Sequence, residues 1–251
     1  MIREELVFGP IHSRRLGSSL GINLLPRTGK LCNFDCIYCE CGWNRDGRTT
    51  EPLPAVSDLQ ETLEATLRDC LEKGTGIDSI TFSGDGESTL HPCFGEMIDV
   101  TLSLRDRFFP EAKVSVLSNA TRLGDEKVFQ ALRKVDNPIL KLDAPTDPAV
   151  ALINRPQGSY HVEDVVRNLE RFEGDFILQT MFLRSEDFDS SDPAQLASWM
   201  DIVRRVSPRE VMAYTLDREA PMPGLVKFTV EEMTNLLKPL VEEGFNVQIK
   251  G

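Results

Sequence analysis

The sequence predicts an α/β fold built on parallel strands, and three observations support that prediction. Short aliphatic stretches alternate six times with longer stretches of helical periodicity. Parallel strands need long crossover connections, so the alternation indicates a parallel sheet with helices outside it. The 251 residues suffice for one large core and show no repeat or low-complexity tract. The pattern alone allows either an open doubly wound sheet or a barrel.

The predicted elements follow one another from residue 18 to the end of the chain. The six strands cover residues 18–25, 77–83, 114–119, 139–143, 176–183 and 211–216. The helices between them cover residues 57–73, 94–108, 126–135, 147–153, 161–172 and 193–206. Ser57 and Gln60 predict a capping box at the start of the first helix, and Gly74 ends it. A helix from residue 229 and a strand at 245–250 complete the pattern.

We expect one domain over residues 1–251. It would consist of an amino-terminal extension (1–17), the core (18–216) and a carboxy-terminal loop, helix and strand (217–251). No apolar leader follows Met1, and no apolar run has the length of a membrane span. These features predict a cytoplasmic protein with no membrane partner, and reduced thiols are typical of that compartment.

Three thiols recur in the loop after the first strand, at Cys32, Cys36 and Cys39. This spacing can direct three sulfurs at one point, and thiolates select iron-sulfur clusters or zinc. Structural zinc normally has four protein ligands, whereas three thiolates leave one metal position open. Cysteines this close in sequence are poorly placed to form disulfides with one another. The loop is therefore the candidate metal site.

The other three cysteines have different predicted roles. Cys70 falls on the apolar face of the first helix, and Cys93 stands alone, so we expect both to be core thiols. Cys41 could be a fourth zinc ligand, a nearby redox thiol or a residue without a role in the site.

The pattern C-x3-C-x-aromatic-C, with Tyr38 before Cys39, is the signature of the radical S-adenosylmethionine (SAM) superfamily, which this chain resembles. Two further stretches, residues 8–21 and 83–92, resemble the subgroup related to the tRNA wyosine-base synthases, although Ser88 stands where proline is usual. The resemblance spans roughly residues 8–216. It implies a single-domain, partial (β/α)6 barrel of the radical SAM type.

The resemblance also implies the cofactors and the reaction. Cys32, Cys36 and Cys39 would hold a 4Fe-4S cluster whose open iron binds the amino and carboxylate groups of SAM. Reductive cleavage of SAM would then give a 5'-deoxyadenosyl radical that abstracts hydrogen from a substrate the sequence does not identify. The residues expected to bind SAM are Tyr38, Gly84, Gly86, Glu87, Ser118, Asn119 and Tyr214.

These residue types suit such contacts. Gly84 and Gly86 would allow the chain to approach the methionine moiety closely. Glu87 offers a carboxylate to the SAM ammonium, which is a charge-assisted contact. Ser118 and Asn119 match ribose and carboxylate contacts of the family. Tyr38 would lie by the adenine and contact it through its backbone, and Tyr214 is a candidate for the adenine wall.

Lys141 and Asp143 are the candidate catalytic residues of the substrate site. They lie two positions apart on one predicted strand, so they face the same side. An inward-facing charged pair is costly unless its members compensate each other or bind a ligand. Weaker candidates, chosen by position alone, are Asn154, Arg155, Gln179, Asp217 and Arg218.

Charge limits the possible partners. A net charge of -12 argues against extensive nucleic-acid binding, which relies on lysine and arginine. The first fifty residues nevertheless hold seven basic side chains against five acidic ones. We hypothesise that this basic rim docks an acidic electron donor such as a flavodoxin or ferredoxin, although an ordinary solvated surface is an equal alternative. The rim consists of Arg3, Arg14, Arg15, Arg27, Lys30, Arg45 and Arg48.

Three alternative functions stay open at this point. The subgroup resemblance suggests a tRNA-base-modifying enzyme, but the chain is acidic and lacks the cysteines that support a second cluster in wyosine synthases. Compact size and the aromatic residue before Cys39 also suit a glycyl-radical-enzyme activase. Outside enzymes, Cys32, Cys36, Cys39 and Cys41 could bind zinc in an interaction module.

Overall fold

The computed structural model describes residues 5–13, 16–26, 28–46 and 51–251. The chain divides into two compact units. The first comprises Met1–Cys32, Asn44–Ser118 and Asp125–Pro138, and the second comprises Asn33–Trp43, Asn119–Gly124 and Ile139–Gly251. One boundary between them therefore falls inside the cysteine loop, directly after Cys32. The expectation of a single domain stays a prediction.

The first unit contains four strands that are neighbours in chain order. They are β1 (Val7–Ser13), β2 (Gly17–Ile22), β3 (Ser79–Phe82) and β4 (Lys113–Ser118). The last three run parallel, as predicted, whereas β1 is antiparallel to β2. The sequence predicts only an amino-terminal extension over the residues of β1, without a strand. Most residues of β1 are at least partly exposed, so it lacks the aliphatic run of a buried strand.

Three helices accompany these strands: α1 (Val56–Glu72), α2 (Phe94–Phe108) and α3 (Glu126–Leu132). Leu59, Leu63 and Leu67 are fully buried on one face of α1, as their spacing predicts. The predicted Ser57–Gln60 capping box is wrong. The helix begins one residue earlier, and the Asp58 carboxylate in its first turn accepts the Ala55 N–H at 2.8 Å.

The second unit contains β5 (Asn137–Lys141) from Ile139 onward, β6 (Ile177–Arg184), β7 (Glu210–Thr215), β8 (Val226–Lys227) and β9 (Val247–Lys250). Strands β5, β6, β7 and β9 pair in that order and run parallel, while β8 lies antiparallel beside β6. The helices are α4 (Asp147–Ile153), α5 (Val162–Glu170), α6 (Pro193–Val206) and α7 (Val230–Glu242). The six predicted strands correspond to β2 through β7.

The fold places most of the predicted site residues where strands end. Ser118 is the last residue of β4, and Lys141 is the last residue of β5. Cys70 is buried on α1 as predicted, whereas Cys93 is only half-buried. Within the residues described, no helix combines the length and the apolar character needed to cross a bilayer.

Candidate active site

The glycine motif after β3 packs against the residue that precedes Cys32. The Leu31 N–H donates to the Asp85 carbonyl at 3.0 Å, and the Glu87 N–H donates to the Leu31 carbonyl at 2.9 Å. Gly86 has φ +141°, and a Cβ there would lie 1.9 Å from the Leu31 carbonyl oxygen. Glycine is therefore required at position 86 by the chain's own packing.

Gly84 is required by a similar close approach. A Cβ on it would lie 2.0 Å from Oδ1 of Asn23, which follows β2. The Asn23 amide nitrogen donates to the Asp85 carboxylate at 3.1 Å, and Asn23 Oδ1 accepts the Asp85 N–H at 3.1 Å. Packing within the chain therefore requires glycine at both positions, a requirement that the sequence did not predict. Their contact with SAM stays a prediction.

Glu87 and Ser118, which were predicted separately, meet in the first unit. The Glu87 carboxylate is buried, and its Oε1 accepts the Ser118 hydroxyl at 2.9 Å and the Thr89 hydroxyl at 2.5 Å. These donors fix the orientation of the carboxylate. Ser88, at the position where the subgroup has proline, is buried, and its hydroxyl has no hydrogen-bond partner among the described residues.

In the second unit, the cysteine loop runs beside the end of α4. The Asp35 N–H donates to the Asn154 carbonyl at 2.9 Å, and the Ile37 N–H donates to the Ile153 carbonyl at 2.9 Å. These two hydrogen bonds flank Cys36. They hold its backbone against a helix end, so the position of this thiol does not depend on the loop alone.

Asn119 is also joined to the cysteine loop. Its amide nitrogen donates to Asn33 Oδ1 at 2.7 Å, and the Asn33 amide nitrogen donates to the Thr121 hydroxyl at 2.6 Å. The Thr121 hydroxyl donates in turn to Asn119 Oδ1 at 2.7 Å. Asn33 and Thr121 line a cavity of about 550 Å³ that also touches Tyr160 and Arg167. The predicted contact of Asn119 with SAM stays a prediction.

Lys141 and Asp143 face each other in the interior of the second unit. The Lys141 ammonium lies 3.2 Å from Asp143 Oδ1, and the two side chains are 13% and 0% exposed. Lys141 also donates to the Tyr214 hydroxyl, and Asp143 Oδ1 accepts the Met181 N–H at 2.9 Å. The two charges therefore compensate each other, which is one of the two conditions under which such an inward-facing pair is stable. Their role in a substrate site stays a prediction. Tyr214 is part of the same network.

The other oxygen of Asp143 connects this network to the cysteine loop. Asp143 Oδ2 accepts the Tyr38 hydroxyl and the Asn154 amide nitrogen, the latter at 2.7 Å. The same amide nitrogen lies 2.8 Å from the Tyr38 oxygen and 3.3 Å from Cys36 Sγ. From its position in the sequence, Asn154 is predicted only as a weak substrate candidate. No motif marks a residue that reaches a thiol 118 positions earlier.

Burial and charge shift the acid-base properties of this network. Burial and the neighbouring Cys39 and Asp143 raise the pKa of the Cys36 thiol to about 11. Burial and Asp143 also raise the pKa of Tyr38, so its phenol stays a neutral donor. Burial alone would lower the pKa of Lys141, but Asp143 and Tyr214 outweigh it and raise that pKa. Lys141 is therefore a buried cation.

The remaining substrate candidates are dispersed. Gln179 is buried on β6, and Arg155 has φ +48° with its guanidinium 5.1 Å from the centre of the Trp43 ring. Asp217 and Arg218 lie in the loop after β7, which lines a second cavity of about 470 Å³. Arg218 forms an exposed ion pair with Glu40 at 2.7 Å.

The proposed basic rim is only partly described. Lys30 is buried, so its inclusion in an exposed rim was wrong. Arg45 is exposed and lies 3.4 Å from the Asp46 carboxylate. The other members of the rim lie outside the described residues: Arg3, Arg14, Arg15, Arg27 and Arg48. Docking of an electron donor here stays a prediction.

Within residues 5–13, 16–26, 28–46 and 51–251, no group of three or more His, Cys, Asp or Glu side chains is gathered as a metal site. The chemistry of the three thiols nevertheless suits the group that the sequence implies, because thiolates are the usual ligands of iron-sulfur clusters. The Asn154 amide nitrogen lies 3.3 Å from the Cys36 sulfur, within reach of the N–H···S contact that is typical of cluster-bound thiolates. The assignment of Cys32, Cys36 and Cys39 as ligands stays a prediction.

Comparison with known proteins identifies the family. Residues 27–186 match the model of the Radical SAM superfamily. The matched segment contains Cys32, Cys36, Cys39, Gly84, Gly86, Glu87, Ser118, Asn119, Lys141 and Asp143. Enzymes of this superfamily work with a 4Fe-4S cluster and SAM, so the predicted cofactors are confirmed at the level of the family.

A curated relative and two solved structures agree with this match. A UPF0026 protein of Helicobacter pylori (strain J99) is 30% identical over 223 residues, which is 87% of this chain and 69% of that protein. SuiB of Streptococcus suis, bound to SAM, has a TM-score of 0.64 and 14% identity, covering 89% of this chain and 49% of its own. This chain thus spans about half the length of SuiB. TYW1, with a lysine-pyruvate adduct bound, has a TM-score of 0.64 and 15% identity, covering 90% of this chain and 74% of its own.

The two structural likenesses show the fold alone. They confirm the predicted α/β class and its assignment to the partial (β/α)6 barrels of the radical SAM type. The family match extends over more than half of the sequence and includes the cysteine signature. The chain belongs to the radical SAM superfamily of enzymes.

Proposed function

We propose that this chain binds a 4Fe-4S cluster through Cys32, Cys36 and Cys39 and catalyses a reaction that begins with hydrogen abstraction from its substrate. The match of residues 27–186 to the superfamily model carries the proposal, since that segment contains all three thiols. When bound, the cluster and SAM supply a one-electron reductive cleavage that yields a 5'-deoxyadenosyl radical. The protein would bind the cluster and SAM, orient the substrate and exclude water from the site.

Glu87 and its partners fit the binding of a cation. The Thr89 and Ser118 hydroxyls fix the buried carboxylate in one orientation, so it accepts a charge-assisted hydrogen bond without having to be ordered first. The SAM ammonium is a cation of the right kind. We therefore assign Glu87 to SAM, with Ser118 as its positioning residue.

Lys141 and Asp143 are assigned to the substrate side. Lys141 is held as a cation by Asp143 and Tyr214, and it is slightly more exposed than Asp143. A carboxylate or another anionic group of a substrate would find its counter-charge there. Tyr38 is bound to Asp143 through its hydroxyl, so its backbone is left as the contact for the adenine.

The cluster assignment is tested with anaerobically reconstituted protein. Wild type should be brown, contain about four iron and four sulfide per chain, and release 5'-deoxyadenosine from SAM with dithionite. A Cys36→Ala variant should lose cleavage by at least about 100-fold, the scale of a lost metal ligand or its close support. The matched control is Cys93→Ala, since Cys93 lies outside the signature.

Two results would contradict the assignment. Cleavage retained in full by Cys36→Ala would remove Cys36 from the cluster site. A colourless wild-type protein that binds zinc and takes up no iron would instead support the zinc-bound interaction module.

Three classes of substrate are compatible with this reaction. The candidate substrates are a tRNA base, a glycine of a partner enzyme and a small molecule. They are distinguished by which of three deuterium-labelled materials transfers deuterium to 5'-deoxyadenosine. Labelled tRNA, a labelled glycyl-radical enzyme and labelled small-metabolite extracts would be supplied in turn. Transfer from one of the three identifies the class.

A further inference from the structure

Asn154 occupies a fixed position between the end of α4 and the cysteine loop. Its backbone N–H donates to the Val150 carbonyl at 2.8 Å, and its carbonyl accepts the Asp35 N–H at 2.9 Å. The residue is 1% exposed. Both its backbone and its side chain are therefore held in place.

The side-chain amide of Asn154 has more acceptors than hydrogens. Its nitrogen lies 2.7 Å from Asp143 Oδ2, 2.8 Å from the Tyr38 oxygen and 3.3 Å from Cys36 Sγ. An amide nitrogen donates two hydrogens, so these three acceptors compete for them. Lys141 and a backbone N–H hold Asp143 in place from the other side. Asp143 Oδ2 therefore accepts one of the two hydrogens of the Asn154 amide. The second hydrogen is divided between the phenol and the sulfur.

Metal binding at Cys36, which lies 3.3 Å from the amide nitrogen, would decide this competition. A neutral thiol is a weak acceptor, comparable at best with a phenol oxygen. A metal-bound thiolate carries charge and attracts the hydrogen more strongly, and the surrounding low dielectric strengthens that preference. Cluster binding by Cys36 would therefore direct the second hydrogen to the sulfur.

We propose that Asn154 is a positioning residue for the cluster, which donates an N–H to the sulfur of Cys36 and raises the reduction potential of the cluster. The inference rests on the proposed function, because it takes Cys36 as an iron ligand. Hydrogen bonds to cluster sulfurs stabilise the reduced form, which carries one more negative charge. Asp143 takes part by fixing the amide, so this polar network has a role toward the cluster in addition to any role toward the substrate.

The test is a redox titration of the reconstituted protein, followed by electron paramagnetic resonance of the reduced cluster. Asn154→Leu removes both donors at similar volume, and Asn154→Ser restores one donor on a shorter side chain. Asn168→Leu is the matched control, because the Asn168 amide donates to the Asp164 carbonyl at 2.8 Å and has no part in the cysteine loop. Iron content and melting temperature are measured for every variant.

We expect the midpoint potential to become more negative in Asn154→Leu, to be intermediate in Asn154→Ser and to match wild type in Asn168→Leu. Unchanged potentials in both Asn154 variants would overturn the inference, as would equal shifts in both, which would indicate packing and not the hydrogen bond. If Asn154→Leu assembles no cluster, Asn154→Ser and Asn154→Ala, which differ by one hydroxyl group, decide by the same criterion. Failure of wild type itself to assemble a cluster would refute the proposed function instead.

Discussion

Two buried carboxylates, Glu87 in the first unit and Asp143 in the second, occupy polar sites that are built in different ways. Glu87 follows two glycines, and its orientation is set by the hydroxyls of Thr89 and Ser118. Asp143 is contacted by the Lys141 ammonium, by a phenol and by an amide. The first site depends on close approach of backbone, and the second depends on a pair of opposite charges.

This difference indicates what each site tolerates. Around Glu87 the chain has no room for added atoms, because Cβ positions at Gly84 and Gly86 would overlap Asn23 and Leu31. Around Asp143 the packing is made by ordinary side chains, but removal of one charge leaves the other buried without compensation. Added volume should damage the first site, and lost charge should damage the second.

The largest effect is expected for Gly86→Ala. The cost should be about 2–6 kcal/mol of unfolding free energy, because the backbone conformation contributes about 1–3 kcal/mol and the clash with the Leu31 carbonyl another 1–3 kcal/mol. Chemical denaturation of the purified variant measures this cost.

Gly158→Ala is the control that separates these two causes. Gly158 has φ +113°, yet nothing lies within 4 Å of its Cβ position. Its substitution should therefore cost only the conformational part, about 1–3 kcal/mol. Equal costs at the two positions would show that the close approach of Leu31 to Gly86 does not affect stability. The site of Glu87 would then not be limited by added volume, contrary to the comparison with the site of Asp143.

Lys141→Met should be nearly as damaging, through charge and not volume. Breaking a buried ion pair from one side costs about 3–5 kcal/mol, because the other charge is left in the interior. Lys134→Met is the matched control, since Lys134 forms a pair of 2.7 Å with Asp99 on the surface. That exposed pair should contribute about 0–1 kcal/mol.

A double-mutant cycle sharpens this prediction. Combining Lys141→Met with Asp143→Asn removes both charges, so the double variant should be more stable than the sum of the two single losses predicts. Strict additivity in urea denaturation would mean that the two groups do not compensate each other, despite their separation of 3.2 Å.

The comparison also shows what the sequence could predict. The strands and helices followed from aliphatic runs and helical periodicity, and the placement of Lys141 and Asp143 on the same side followed from the alternation of side chains along a strand, although β5 ends at Lys141. Gly84, Gly86 and Glu87 were found because they form one contiguous motif. Each of these signals is local in the chain.

Features that depend on distant residues were missed. The approach of Leu31 to Gly86 joins positions 55 apart, and Asn154 reaches Cys36 across 118 positions. Composition and periodicity do not indicate contacts between residues so far apart in the sequence. Strand β1 was missed for another reason: its exposed residues pair along one edge of β2 and do not need the apolar pattern that strand prediction uses.

The smallest effect is expected for Ser118→Ala, and it tests whether Glu87 acts as an ion. The Ser118 hydroxyl donates to the buried carboxylate at 2.9 Å, so its loss should cost about 1.5–3 kcal/mol. Ser115 is buried on the same strand and bonds to the neutral side chains of Ser79 and Asn137 at 3.0 Å. Ser115→Ala should therefore cost only about 0.5–1.5 kcal/mol for each of these two hydrogen bonds. If chemical denaturation gives the larger loss per hydrogen bond for Ser115→Ala, then Glu87 is not held as a carboxylate acceptor, and its assignment to the SAM ammonium loses its physical basis.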